Sequence, residues 1–366
     1  MGQCLSPLSS RRKSDLIVLP PPTLQVIGTG ASGPIRLIQR RCNGEKFVLK
    51  ILLDGATARR EVELQFLACQ HAHIVPVVDV YQNLFRDCRC LFVIMEYMSG
   101  GQLFERIKTK HLHITEREVL RIVRDLGSAI AYIHSLGIVH RDIKPENIMY
   151  SKSGVLKLTD FGFAAIEKES HQATSHTSPY STPTEIVERF RYYKSRDLWS
   201  LGIVMYFLLC GYPPYCCAQE TDFSEAMQQK ILTGEYLFPT KEWENISLQA
   251  KSLLRRLLTV DPERCLTADE LMSDVWIVRC SSALDTPLCT ADLLNDEKNF
   301  DLLDAMRGQL TGIRAINKQI EIKPLDEATN AILQRRCKIK KADAGSTSIT
   351  PSSTIPPSPT PCIPSD

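Results

Sequence analysis

The sequence has no apolar run long enough to cross a bilayer. Its best stretch, LWSLGIVMYFLLC, ends at Cys210 before Gly211 and Pro213-Pro214, short of the ~20 residues a spanning helix needs. A buried core helix is expected there. The start, MGQCLSPLSSRRK, likewise holds no apolar segment that could act as a secretory signal. No two of the 13 cysteines stand in CxxC spacing, and their number is odd. Neither a disulfide framework nor a cysteine-rich zinc site is indicated. A reducing, intracellular compartment is expected, in which the sequon Asn245-Ile246-Ser247 goes unused.

Charge of one sign is also lacking: 44 basic and 42 acidic residues leave a net +2. A surface built throughout to coat nucleic acid or acidic lipid is excluded. The balance hides a division. Residues 1–14 carry +3, residues 15–313 carry −4, residues 314–341 carry +5 and the remainder −2. There is no internal repeat.

What is present suffices for a sizeable core, since hydrophobic residues make up 43% and charged residues 23% of the 366. That length suggests two domains or one bilobal domain with tails. Residues 1–22, polar and basic and closing on Pro20-Pro21-Pro22, read as a flexible lead-in. Then come strand-like runs, LQVIGTG, PIRLIQRRC and KFVLKIL, with Asn43-Gly44 between the last two. Asn-Gly there predicts a hairpin, because both residues tolerate the positive φ of a type I′ turn. EREVLRIVRDLGSAIAYIHSLG and SLQAKSLLRRLLTV have helical spacing. A strand-rich small part thus precedes a helix-rich large part. Beyond Trp276, Phe300, Leu303, Met306, Leu310 and Ile313 fall on one face of a further helix. The last 25 residues hold 6 Pro and 10 Ser or Thr and cannot bury enough to fold.

Gly28-x-Gly30-x-x-Gly33 has the spacing that opens dinucleotide-binding folds, but there a helix starts at the last glycine. Here Pro34-Ile35-Arg36-Leu37-Ile38 follows, so a β-hairpin lid over phosphates fits instead, formed by Ile27, Gly28, Thr29, Gly30, Ala31, Ser32, Gly33, Pro34 and Ile35. Asp54, 21 residues after Gly33, could mimic a ribose-binding acid, yet without the helix it carries little weight. Lys50, 17 residues after Gly33, could hold phosphates if a carboxylate pins it, and Glu61 is the candidate. His140-Arg141-Asp142-Ile143-Lys144-Pro145-Glu146-Asn147 is followed, 18 residues after Asp142, by Asp160-Phe161-Gly162. Phosphoryl transfer needs a carboxylate for the hydroxyl proton, oxygen ligands for magnesium and cations for the moving charge. Asp142 fits the first role, Asn147 and Asp160 the second, Lys50 and Lys144 the third. Lys144 favours a Ser or Thr acceptor.

These motifs, in this order, resemble the eukaryotic Ser/Thr protein kinases of the calcium/calmodulin-dependent group. ARREVELQFLACQHAHIVPVVDVYQNL, HRDIKPENIMY, LKLTDFGFA, KSRDLWSLGIVMYFLLCGYPPY and the continuation TPLCTADLL…IKPLDEATNAILQRRCKIKK narrow the resemblance to the MAP-kinase-activated protein kinases. It implies an α+β bilobal kinase fold: residues 23–97 as small lobe, 98–278 as large lobe, and 285–341 as regulatory helix plus basic segment. Residues 342–366 remain as a disordered tail. It also implies ATP and Mg2+ as cofactors, Met95 as gatekeeper, and Glu96 and Met98 in the adenine-binding hinge. Asp197 would brace the catalytic loop, and Thr174 would be the activating site whose phosphate meets Arg141. Thr286, before Pro287, would be a second regulatory site. The helix from about Asp292 to Ile316 would be autoinhibitory. Substrates would be proteins basic around the acceptor, with no nucleic acid as partner. Residues 335–341, RRCKIKK, preceded by Ile332-Leu333, resemble a MAP kinase docking and nuclear-localisation sequence ending at Lys341. Cytoplasm and nucleus are the expected locations.

Several positions depart from the family. Thr174 is followed by Ser175 rather than Pro, and Ser178-Pro179-Tyr180-Ser181-Thr182-Pro183-Thr184-Glu185 replaces TPYYVAPE. The arginine that pairs with Glu185 aligns with Cys265, Arg264 being one residue off. Loss of such a buried partner costs about 3–5 kcal/mol. Val48 replaces the Ala above adenine. Gln102 replaces a Glu that contacts ribose and a substrate arginine, whereas Glu146 is kept. The quintet Lys50, Glu61, Asp142, Asn147 and Asp160 is complete, favouring an active enzyme over a catalytically weak scaffold that binds a MAP kinase through its basic tail. At the start, Gly2 and Cys4, with Arg11-Arg12-Lys13 nearby, match a pattern for myristoylation and palmitoylation. Two such signals together would anchor the chain to a membrane.

Overall fold

The computed structural model describes residues 16–17, 26–30, 33–109, 114–166, 183–215, 225–261, 264–278, 285–288, 290 and 301–319. Gly2, Cys4, Ala31, Ser32, Thr174 and residues 332–341 lie outside them.

The small lobe is one antiparallel sheet of six strands with a helix. Strands β1 (Leu16–Ile17) and β2 (Val26–Gly30) both pair with β3 (Gly33–Arg40), and β4 (Lys46–Leu53) follows. After helix α1 (Ala56–Ala68), β5 (Val77–Phe85) and β6 (Cys88–Glu96) complete the order β1-β3-β4-β6-β5. Leu16-Ile17, in the segment read as a lead-in, thus adds to the sheet by pairing with Arg40 and Gln39. Alternation along β4 and β6 sorts apolar side chains to two faces. Ile38, Phe47, Leu49 and Ile94 cluster on one; Leu52, Val75, Val77, Leu91, Val93 and Met95 meet Ala58 and Val62 of α1 on the other.

The Asn43-Gly44 hairpin forms, but not as a two-residue type I′ turn. Arg40 N donates to Glu45 O at 2.8 Å, and among the residues between them only Gly44 has positive φ, +68°. The Asn43 side chain accepts from Glu45 N at 3.0 Å, closing a longer loop that leaves Asn43 no need of a left-handed backbone.

The large lobe begins with β7 (Gly101–Gln102) and α2 (Leu103–Thr109). Helix α3 (Glu116–Ser135) opens on a capping box between Thr115 and Glu118. It buries Val119, Val123, Leu126, Ile130 and Ile133, one face at helical spacing. Short strands β8 (Ile138–Val139), β9 (Ile148–Tyr150), β10 (Leu156–Leu158) and β11 (Ala165–Ile166) frame the cleft; β9 pairs with β10 and β7, and β8 with β11. Helix α4 (Pro183–Cys210) contains the apolar stretch, and Leu201, Ile203, Val204, Met205, Phe207 and Leu208 have no exposed surface. It is a core helix, and among the described residues no helix is long and apolar enough to span a membrane. It extends further toward the N-terminus than the apolar pattern, with Pro183 at its first position, where the missing N–H costs nothing. Helices α5 (Glu225–Thr233), α6 (Thr240–Trp243), α7 (Leu248–Leu257), α8 (Ala268–Met272) and α9 (Val275–Val278) follow. Buried Glu116 ties three of these helices together, accepting from Ser247 Oγ at 2.5 Å, Ser247 N at 2.9 Å and Trp276 Nε1 at 2.7 Å. Helix α10 (Asp301–Gln319) carries the second helical pattern, with Met306 and Leu310 buried.

Candidate active site

The glycine motif lies on the β2–β3 hairpin, Gly28 opposite Ile35 and Gly30 opposite Gly33. Gly33 has φ +123°, which a side chain would strain. Strand β3, not a helix, follows it, so the glycines sit on a β-hairpin rather than at the helix start of a dinucleotide-binding fold. Asp54 is engaged elsewhere: Arg59 grips it at 2.7 and 2.8 Å and Gln82 at 2.6 Å. Those Arg59 bonds hold its carboxyl below the usual range, and they leave it no ribose-binding role.

Lys50 stands on β4 opposite Ile35 of the lid. Its Nζ lies 2.5 Å from Glu61 Oε1 on α1 and 3.0 Å from Asp160 Oδ1. Burial opposes the ammonium charge, but Asp160 and Glu61 outweigh it and raise the Lys50 pKa. At Asp160 burial is again opposed, by Lys50, His140 and the Gly162 N–H, and the carboxyl is held below its ordinary pKa. Asp160 adopts φ +66°, a conformation uncommon for residues other than glycine. Next to it Phe161 is fully buried among Leu64, Ala68, Ile74, Ile133 and Ile138, fastening α1 to the Asp160 turn. The sequence paired Lys50 with Glu61; the third member, Asp160, comes from folding.

The catalytic loop hangs from one buried carboxylate. Asp197 Oδ2 accepts from His140 N at 2.8 Å and His134 Nε2 at 2.9 Å, and Oδ1 from Arg141 N at 2.8 Å. Burial alone would raise its pKa, but these donors lower it. Held this way, Arg141 takes φ +64° and Asp142 is wholly buried. Asn147 Nδ2 donates to Asp142 O at 2.8 Å and Oδ2 at 3.1 Å, and Lys144 Nζ lies 3.0 Å from the same Oδ2. Asp142, Lys144 and Asn147 are therefore brought together as the motif predicts. With Nδ2 turned to Asp142, the Asn147 carboxamide oxygen and the Asp160 carboxylate are hard oxygen donors that fit magnesium. Among the described residues no group of three or more His, Cys, Asp or Glu stands together as a metal cage.

The hinge leaves β6 at Glu96, whose N–H reaches Pro76 O at 3.3 Å. Met98 is buried, and Val48, opposite Met95, packs against the apolar cluster to which both methionines belong. Gly100 allows the chain to lie on β9, since a Cβ there would stand 2.6 Å from Tyr150 Cβ. Gln102 is half-buried on β7, and Glu146 pairs with Arg307 of α10. Thr286 is exposed beside Pro287, which bridges to Thr115. Arg264 is exposed and lies 3.5 Å from Asp261, while the Glu185 side chain lies outside the described residues. The buried Cys265 thiol, pushed up to about 11 by burial, faces Ser195 O at 3.9 Å.

Sequence reasoning passed over His134, Lys157 and Arg307. His134 lay within a helical pattern and Lys157 within LKLTDFG; only the fold reveals their partners.

The family model of the protein kinase domain matches residues 22–277. MAP kinase-activated protein kinase 2 of Homo sapiens is 42% identical over 328 residues, covering 87% of this chain and 82% of the relative. The Drosophila melanogaster protein of the same name is 39% identical, covering 86% and 89%. Human MAP kinase-activated protein kinase 5 is 35% identical, covering 85% and 72%. Both the domain match and the extended similarity agree with the site, and the chain belongs to the MAP kinase-activated protein kinases, a family of Ser/Thr protein kinases.

Proposed function

We propose that this chain transfers the γ-phosphoryl group of Mg-ATP to Ser or Thr hydroxyls of proteins with basic residues near the acceptor. The observation that carries this is the joined arrangement of Lys50, Glu61 and Asp160 with Asp142, Lys144 and Asn147. Protein kinases as a class use ATP and Mg2+. Magnesium, when bound, neutralises charge on the phosphates, and Asn147 and Asp160 would hold it. Lys50, fixed by Glu61, orients the nucleotide phosphates. Asp142 takes the proton of the attacking hydroxyl, and Lys144, on the same carboxylate, offsets charge gathering on the transferred group. The lid backbone covers the phosphates and excludes water. The complete quintet and the family membership disfavour the scaffold reading.

The Arg307–Glu146 contact supports an inhibitory role for α10, because a guanidinium there occupies the carboxylate that a basic substrate would use. Arg141 supports a phosphate-receiving role: burial lowers its pKa and Arg196 and Arg60 add like charge, only partly offset by Tyr193 and Asp197. Thr174, lacking a following proline, would supply that phosphate through an activator that is not proline-directed. Residues 332–341 support docking of a MAP kinase and nuclear as well as cytoplasmic residence, with membrane contact only where Gly2 or Cys4 is acylated.

The test is transfer of label from ATP to a basic serine peptide by the full chain beside Asp160→Ala. Transfer that falls about 100-fold or more in the variant is expected; equal transfer by both would sink the enzyme reading.

A further inference from the structure

Strand β10 leads directly into Asp160, and each of its three residues is tied to the small lobe. Leu156 O accepts from His73 Nδ1 at 2.8 Å. Leu158 N donates to His73 O at 2.9 Å and Leu158 O accepts from Val75 N at 3.0 Å. His73 and Val75 lie between α1 and β5, so this is a backbone seam between the lobes. Leu156 and Leu158 point into the core, 2% and 0% exposed. By strand alternation Lys157 points the other way, where its Nζ meets Glu96 Oε2 at 2.7 Å. Glu96 is the last residue of β6 and the first of the hinge. The pair is partly shielded, the side chains being 15% and 32% exposed, so solvent screening is reduced.

The nucleotide-binding cleft has two ends. Adenine belongs at the hinge, and the metal-bound phosphates belong at Asp160, three residues beyond Lys157. Strand β10 ends at Leu158, and the short link to Asp160 is held at both residues, Thr159 N donating to Asn147 O at 3.0 Å and Asp160 meeting Lys50 at 3.0 Å. The ion pair extends that connection from the phosphate end to the adenine end. His134 and Asp197 hold the catalytic loop separately, so the pair has no part in placing Asp142.

We propose that Lys157 is a positioning residue for the nucleotide: its ion pair with Glu96 sets the hinge against the Asp160 strand, so that both ends of one ATP fit at once. The proposal rests on the reading of the cleft as an ATP site. It separates nucleotide affinity from chemistry, because Lys157 touches neither the acceptor hydroxyl nor the reacting phosphoryl.

The experiment uses the full-length chain, with ATP varied at saturating peptide. Lys157→Met keeps the length and loses the charge; KM for ATP is expected to rise about 3- to 10-fold with kcat within about 2-fold of wild type. Lys157→Arg should recover most of the affinity. The double variant Lys157→Met with Glu96→Gln should equal the worse single rather than multiply the two. An unmoved KM in Lys157→Met, a fall confined to kcat, or multiplicative effects would each overturn the proposal while leaving the ATP reading intact. A wild-type chain without ATP-dependent transfer would overturn that reading and this proposal together.

Discussion

Two ion pairs join distant parts of this molecule, and they are built in opposite ways. Lys50 is 4% exposed and meets two carboxylates, one of them, Asp160, next to the fully buried Phe161. Arg307, which binds α10 to Glu146, has 44% of its side chain in solvent and shares itself with Asp304 at 2.6 Å. On the same helix Gln309 has no exposed surface, and among the described residues neither its amide nitrogen nor its amide oxygen has a hydrogen-bond partner. The first arrangement is satisfied at every charge; the second combines a screened pair with a buried, unmet amide. An unmet amide of that kind costs about 1–3 kcal/mol, while an exposed pair contributes about 0–1. The polar ties of the catalytic centre are thus stronger than those of α10, as the inhibitory role proposed for that helix would require.

Breaking the stronger side should have the largest effect. Lys50→Met leaves Glu61 and Asp160 facing one another without their cation, and removal of one member of a buried pair costs about 3–5 kcal/mol. Peptide phosphorylation should fall at least about 100-fold, and the urea midpoint should drop in the same samples. A variant with wild-type turnover would show that the node is ornamental and remove half of the contrast.

Strengthening the weaker side comes next. Gln309→Leu replaces the unmet amide with an apolar side chain beside Met306 and Leu310, so α10 should dock more tightly. Basal peptide phosphorylation by the full chain should fall about 10-fold, the amount that about 1.4 kcal/mol provides. Unchanged basal activity would mean that Gln309 costs nothing where it lies. Arg307→Glu acts in the opposite direction, setting like charge against Glu146. Basal activity should rise about 3- to 5-fold, and the rise should shrink in high salt as the pair is screened.

The same contrast explains what could be read from the chain. The lid, Lys50 with Glu61, and Asp142 with Lys144 and Asn147 are separated by at most eleven positions, and strand or loop geometry determines where each points. The core helix was legible because thirteen residues without charge have few other destinations. Lys50 with Asp160, Glu96 with Lys157, His134 with Asp197 and Glu146 with Arg307 span 110, 61, 63 and 161 positions. No local pattern marks them, since each is made by two elements meeting and an isolated Lys or Arg resembles any solvated side chain. The Asn43-Gly44 hairpin shows the limit at short range: its existence was written in the dipeptide, but its loop length depended on a side-chain bond from Asn43.

The smallest effect concerns how acid loosens the stronger side. His71 lies in the connection between α1 and β5 that is sewn to β10. It stacks on Tyr132 at 5.2 Å, stands 5.7 Å from His73, and its Nε2 meets Ser128 Oγ at 2.9 Å. Burial, then the charge of His73, lower its pKa below the ordinary 6.5, and Asp125 only partly opposes this. The folded chain therefore binds fewer protons here than the unfolded chain as pH falls below about 6.5. By linkage, stability rises with pH across that window: the contribution is present above 6.5 and is lost as pH drops through the folded value. His71→Gln keeps a polar partner for Ser128 and removes the titration. Melting temperatures measured between about pH 5 and 7 should fall less steeply on acidification in the variant than in wild type, the two curves converging at neutral pH. Parallel curves would place the acid sensitivity elsewhere, with the carboxylates of Asp160 and Asp197 as the remaining groups whose lowered pKa values act in the same direction at lower pH.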